Sequence, residues 1–187
     1  GSARSIREAI HVGVERSKFD IEVQELTVGD SAYFDGFQVK AFEVQHGIRA
    51  TGYALIEEDR PGLFDLDRAR DLGIPEGPLF GELQRGSAIE VDGRMISPEE
   101  VIGEPRPGRT VVYTGDTLPG PWTVEMARGA NVLVHEATFG ADEADRARDT
   151  KHSTAAQAAE VAREAGAKRL YLTHVSARYS DDARPLE

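Results

Sequence analysis

The sequence predicts an α/β fold, on three observations. Residues 110–114, 132–134 and 170–173 are short apolar runs of strand length, rich in Val, Leu and Tyr. Helix-like stretches separate them, so that strand, helix, strand, helix, strand follow at the spacing of parallel βαβ units. Each run ends in residues able to ligate or catalyse: Asp116, then His135 and Glu136, then His174. Ligands of open α/β sheets bind just beyond the carboxyl ends of the strands. The unbroken apolar character of the runs further suits a sheet covered on both faces.

The remaining elements follow in chain order. Residues 2–16 read as a helix, because Ile6, Ile10 and Val14 recur at every fourth position. Ile21, Val23 and Glu25 alternate as in a strand, and 32–34 form a short second one. Asp35-Gly36 predicts a hairpin, since this pair accepts the positive φ values of a type I′ turn. The returning strand, 37–44, puts Phe37, Val39, Ala41 and Glu43 on one face and Phe42 and Val44 on the other. Gln45-His46-Gly47 interrupts it, and 51–56 is a further strand. Between 57 and 109 the texture changes: Pro61, Pro75, Pro78, Pro98, Pro105 and Pro107 all lie here, with one short helix expected at 65–72 and a strand at 88–91 turned by Asp92-Gly93. A stretch this long without sustained periodicity reads as an inserted or protruding element rather than plain loop. Residues 121–128 are helical, and Ser153 caps a helix that runs to Ala165 and is ended by Gly166.

Composition bounds the chemistry. The 187 residues match one domain or part of a larger one. With no Cys there is no disulfide framework, thiolate metal site or thiol nucleophile, so any metal must be held by His, Asp and Glu. No apolar run approaches the length of a membrane span, and no secretory signal is visible. The net charge of −11 disfavours nonspecific attraction to DNA or to anionic membrane and suits a cytoplasmic protein. Lys18, Lys40, Lys151 and Lys168 are the only lysines among 22 basic residues, which suggests a salt-adapted or GC-rich source; an ordinary acidic protein is the alternative.

Five His are present, and three of them, His46, His135 and His174, follow strands. Taken singly, each candidate has a plain reading. A His after a strand is commonly a hydrogen-bonded structural residue, Asp116 could cap the helix at 121, Glu136 could pair with an Arg, His152 could be solvated, and His11 beside an apolar stripe is structural. Jointly, two imidazoles and a carboxylate, His46, Asp116 and His174, are what a divalent cation such as zinc takes.

Seven strings in order carry a resemblance. They are Gln45-His46-Gly47-Ile48 with Gly52-Tyr53; Asp59-Arg60-Pro61-Gly62; Gly73-Ile74-Pro75-Glu76-Gly77-Pro78-Leu79; Tyr113-Thr114-Gly115-Asp116-Thr117; His135-Glu136-Ala137-Thr138-Phe139; His152-Ser153-Thr154; and Leu172-Thr173-His174-Val175-Ser176-Ala177-Arg178-Tyr179. Over nearly its whole length the chain resembles the C-terminal two-thirds of ribonuclease Z, the precursor-tRNA 3′ endonuclease of the metallo-β-lactamase superfamily. The resemblance implies a partial αββα sandwich of four layers. It implies two zinc ions about 3.5–4 Å apart, with His46 on one, His174 on the other and Asp116 bridging both. His152 resembles the phosphate-side histidine that steadies charge or protonates the leaving oxygen, and Glu136 a carboxylate that orients a catalytic histidine. Ser176 and Arg178 sit where the family has groups near the substrate phosphate. Residues 59–108 resemble the family's flexible arm, a tRNA-binding exosite whose tip matches Gly77, Pro78 and Arg85. The family usually works as a homodimer.

Two features depart from the family. Glu76, Glu82, Glu99, Glu100 and Glu104 make the arm too acidic for a simple basic patch. The motif His-x-His-x-Asp-His, which supplies most ligands of the first metal, does not occur in the chain. The expectation is therefore an enzyme fragment that is inactive alone. The alternatives are a non-catalytic tRNA-binding fragment or another phosphodiesterase of the same fold.

Overall fold

The structure, a computed structural model, describes residues 5–6 and 20–180. The helix expected over 2–16, and His11 with it, lie outside the described residues apart from Ser5 and Ile6. The strands are β1 (Ser31–Phe34), β2 (Phe37–Glu43), β3 (Thr51–Glu57), β4 (Ile89–Val91), β5 (Arg94–Ile96), β6 (Thr110–Tyr113), β7 (Val132–Glu136) and β8 (Leu170–Thr173). The helices are α1 (Leu66–Asp71), α2 (Pro78–Gln84), α3 (Pro121–Met126), α4 (Ala144–Thr150) and α5 (Ala155–Ala165). The chain divides into two compact units, Gly1–Ile56 with Thr110–Glu187, and Glu57–Arg109.

The first unit is built on a six-stranded sheet in the order β1-β2-β3-β6-β7-β8. β6, β7 and β8 are parallel, as the βαβ spacing predicts, while β3 runs antiparallel to β6. α3 and α5 cover one face. Phe42, Val44, Ala54, Val112 and Leu133 from the strands meet Val161, Ala162 and Ala165 from α5 in one apolar cluster. The inward face of α5 is nearly all Ala and Val, so helix and sheet approach closely. Gly52 serves the same end: a Cβ there would lie 2.4 Å from Cζ of Phe42.

Several local expectations are corrected. Residues 20–27 carry no strand: the alternation of Ile21, Val23 and Glu25 half-buries only Val23 among the three, so it offers no face to a core. The hairpin at Asp35-Gly36 forms, but only Gly36 has a positive φ, 76°, so the turn is not type I′; Asp92-Gly93, at 50° and 80°, has both. The cap of α5 is Thr154, whose Oγ1 accepts from Gln157 N at 3.2 Å while Gln157 returns a bond to Thr154 N. Ser153 is turned inward instead, its hydroxyl donating to Thr117 O at 2.6 Å. Gly120, not Asp116, stands at the N-cap of α3. The sheet is not covered on both faces among the described residues. Tyr53, Tyr113, Val134 and Tyr171 are register neighbours across four strands, and the three tyrosines are 38%, 48% and 54% exposed.

The second unit has a core of its own, formed by Ala69, Ile74, Leu83, Ile89, Ile96 and Val101. Asp65 caps α1 by accepting from Arg68 N at 2.9 Å. α2, which no periodicity announced, starts on Pro78 after Gly77, whose φ of 145° favours glycine. β4 and β5 form a hairpin. The two ends of the unit meet, Glu57 N donating to Arg109 O at 2.9 Å. The Arg109 guanidinium donates back to the Glu57 carboxylate, with Nη2 at 2.5 Å, and holds that carboxyl at about 2.

Candidate metal centre

Four loops at the carboxyl ends of the first unit's strands are stitched together by backbone bonds. The loop after β2 meets the loop after β6 where Leu118 N donates to Gln45 O at 2.8 Å. The loop after β7 meets the α5 approach through Phe139 N to Ser153 O at 3.3 Å and Ala155 N to Phe139 O at 3.0 Å. Ala137 N donates to Thr173 O at 2.9 Å, which ties in the end of β8. These bonds bring His46, Asp116, His152 and His174 to one rim, although they lie far apart in sequence.

At the centre beneath the rim is Glu136, fully buried. Its Oε1 accepts from Thr117 N at 2.8 Å and from His152 Nδ1 at 2.8 Å. Its Oε2 accepts from Thr138 Oγ1 at 2.7 Å, Thr138 N at 3.2 Å and Ser153 N at 3.1 Å. Burial alone pushes this carboxyl up; the donors from Thr138, Ser153, Thr117 and His152 outweigh it and leave the group below its ordinary 4.5. Five donors saturate the lone pairs of a carboxylate, so Glu136 is a hub that organises ligands and is not itself free to bind a cation.

The imidazoles share one pattern. His46 Nδ1 is 2.9 Å from Lys151 O, which the left-handed C-cap of α4 (Lys151 φ 62°) turns toward it. His152 Nδ1 is held by Glu136, and His174 Nδ1 lies 2.8 Å from Thr138 Oγ1. Each ring thus spends Nδ1 on the scaffold, leaving Nε2 as the nitrogen available to a ligand. Asp116 is half-exposed, with Oδ2 at 3.6 Å from His174 Nε2. Ligand atoms of His46, Asp116 and His152 lie within 4.8 Å of one another, and so do those of Glu136, His152 and His174. The His46 and His152 rings meet edge-on at 4.8 Å, and those of His152 and His174 stack at 5.3 Å. Three imidazole nitrogens and a carboxylate free of donors are a set that fits a divalent cation.

The other candidates are not among these ligand groups. Arg178 donates from Nη1 to Glu143 Oε1 at 2.5 Å and from Nε to Ser176 Oγ at 3.1 Å, and its guanidinium covers Phe139, whose ring is 6.2 Å from that of His152. Much of the fork expected to meet phosphate is thus engaged on Glu143. Gly77, Pro78 and Arg85 belong to the second unit, where Gly77 and Pro78 start α2 and Arg85 ends it, its guanidinium folded over Gly81. His135 lies fully inside, Nδ1 on Glu136 O at 2.8 Å and Nε2 without a partner; burial pushes it below its ordinary 6.5. The sequence reading missed Thr117, Thr138, Ser153 and the Lys151 carbonyl as parts of the site. The hydroxyl residues stand beside Asp116, Glu136 and His152 in the quoted strings, which was the available signal; a carbonyl turned by a left-handed residue leaves none.

Comparison with known proteins accords with this geometry. The Beta-lactamase superfamily domain matches residues 100–175. Ribonuclease Z of Myxococcus xanthus (strain DK1622) is 54% identical over 184 residues, 98% of this chain and 60% of its own length. Ribonuclease Z of Haloferax volcanii is 50% identical over 188 residues, 100% of this chain and 59% of its own. Over nearly its whole length the chain is thus similar to ribonuclease Z. It spans about three-fifths of the length of these ribonuclease Z relatives. Its fold is the metallo-β-lactamase fold, to which the first unit contributes one sheet and the helices on one face. Among solved structures, the short form of human tRNase Z aligns with 80% of this chain and 40% of its own at 26% identity and a TM-score of 0.49. No helix among the described residues is long and apolar enough to cross a membrane.

Proposed function

We propose that this chain carries part of the active centre and the substrate arm of a zinc-dependent endonuclease that removes the 3′ trailer from precursor tRNA. The observation that carries the reading is the shared orientation of His46, His152 and His174, each with Nδ1 tied to the scaffold beside the Asp116 carboxylate. In this reading His46, Asp116 and His174 would hold the zinc. When bound, the two cations supply Lewis acidity toward the scissile phosphate. Glu136 holds His152 so that its Nε2 steadies developing charge or gives a proton to the leaving oxygen. Ser176 and Arg178 meet the flanking phosphate once Glu143 releases the guanidinium.

Residues 59–108, with Gly77, Pro78 and Arg85, serve as the arm that grips the tRNA, and the working protein is a cytoplasmic homodimer. The acidic character of this stretch makes shape and backbone contacts supply more of that affinity than charge does. The chain by itself, without His-x-His-x-Asp-His, is expected to bind zinc weakly and to cleave nothing. The test is a polypeptide carrying this sequence at the length of its relatives, assayed with zinc on precursor tRNA. Asp116→Ala should abolish cleavage; full activity in that variant overturns the ligand assignment. Deleting 65–104 should weaken tRNA binding, and unchanged binding removes the arm from the proposal.

A further inference from the structure

Thr138 has one hydroxyl proton and three neighbours in reach. Its Oγ1 is 2.7 Å from Glu136 Oε2, 2.8 Å from His174 Nδ1 and 3.3 Å from His152 Nδ1, and the His152 nitrogen gives its own proton to Glu136 Oε1 at 2.8 Å. Glu136 accepts from four other donors as an ionised carboxylate and has no proton to give, so at 2.7 Å the Thr138 proton goes to it. The oxygen then has only lone pairs to offer His174, and the proton between them must belong to the ring. His174 is thereby held with hydrogen on Nδ1 and with Nε2 bare, on the side where Asp116 Oδ2 lies at 3.6 Å. The ring's entry is constrained as well: His174 has a left-handed φ of 54°, which a non-glycine residue keeps only where its surroundings enforce it.

We infer that Thr138 is a positioning residue: it relays the charge of Glu136 to His174 and sets the imidazole tautomer that leaves Nε2 free to ligate. Glu136 thus governs two of the three rim histidines, His152 directly and His174 through one hydroxyl. The inference rests on the metal reading above only for what the bare Nε2 is for; the tautomer itself follows from the hydrogen bonds.

The experiment is nitrogen-15 NMR of the histidine side chains in this chain, metal-free and above the imidazole titration range, on wild type, Thr138→Val and Thr138→Ser. Wild type should show His174 protonated at Nδ1. Thr138→Val, which keeps the shape and removes the hydroxyl, should move His174 toward the Nε2-protonated form, and Thr138→Ser should restore the wild-type pattern. A wild-type His174 protonated at Nε2 overturns the inference, even if Thr138→Val does not fold. So does a folded Thr138→Val in which the tautomer is unchanged. Zinc binding by chelator competition, in the polypeptide at the length of its relatives, reads the metal assignment separately. Thr138→Val should bind ~10–100-fold more weakly, the usual loss when a ligand's supporting partner is removed, with Thr138→Ser near wild type. If the tautomer shifts as stated but zinc affinity is equal in all three proteins, His174 is positioned as inferred and its role as a ligand fails.

Discussion

Replacing Glu136 by Gln tests whether the buried carboxylate holds the site together. The amide nitrogen must face one set of donors. Turned toward the Oε2 position it meets Thr138 N, Thr138 Oγ1 and Ser153 N; turned toward the Oε1 position it meets only Thr117 N and His152 Nδ1. The second orientation costs less, because His152 can change tautomer and accept. Thr117 N, in a residue with no exposure, is then left without an acceptor, at about 1–3 kcal/mol. The bonds to Oε2 weaken from charged to neutral, a loss of roughly 1 kcal/mol each. Relief of the buried charge offsets part of this, so Glu136→Gln should destabilise the first unit by about 2–4 kcal/mol. Urea unfolding followed by Trp122 fluorescence measures it, with a midpoint about 1–2 M lower at an ordinary slope. A midpoint within ~0.5 kcal/mol of wild type, the scatter of neutral surface changes, would show that these donors do not depend on the carboxylate.

Three further outcomes follow from the same structure. Burial holds His135 below 6.5, so the unfolded chain binds the additional proton first; the contribution is complete above 6.5 and is lost as pH falls through the folded value. Glu136, held below 4.5, adds a second loss as pH falls below 4.5, and a urea midpoint flat from neutrality to well below 4.5 would contradict both. Gly52→Ala should cost about 1–3 kcal/mol by overpacking, since the new Cβ falls 2.4 Å from the buried Phe42 ring; thermal unfolding reads it, and an unchanged Tm refutes the close approach. The row of Tyr53, Tyr113 and Tyr171 should bind a hydrophobic dye, and Tyr113→Glu with Tyr171→Glu should remove most of that binding; undiminished fluorescence would place the dye elsewhere.

The parallel half of the sheet was legible because β6, β7 and β8 are continuous apolar runs with a polar residue at each carboxyl end, and register then forces those ends together. The candidate rim was legible for the same reason: His46, Asp116 and His174 are chemistry at strand ends, where core packing has no use for it, while the place of His152 in both candidate ligand groups was not. What stayed hidden depends on contacts between distant segments. Ser153 and Thr154 are equivalent caps to local reasoning, and only the Thr117 carbonyl, 36 positions away, decides which one turns inward. α2 and α4 are seven residues each and too short for periodicity to register. The uncovered tyrosine row was hidden in turn, because a strand apolar on both sides does not say whether anything lies on the second face.

The plain reading of a histidine after a strand, that of a satisfied structural residue, makes a claim about both ring nitrogens, and the rim histidines of this chain differ from His135 in that respect. His135 is the histidine that packing has absorbed: it is fully buried, one nitrogen bonds the adjacent carbonyl, and the other is sealed inside. His46, His152 and His174 come from three different loops, and each is fixed by a partner of a different kind: a carbonyl, a carboxylate and a hydroxyl. Solvated side chains have no reason to agree on which nitrogen points inward. Three anchors that all engage Nδ1, two of them joined through the Thr138 hydroxyl and Glu136, beside an aspartate with no hydrogen-bond donor among the described residues, leave bare nitrogens next to negative charge, an arrangement that attracts a cation.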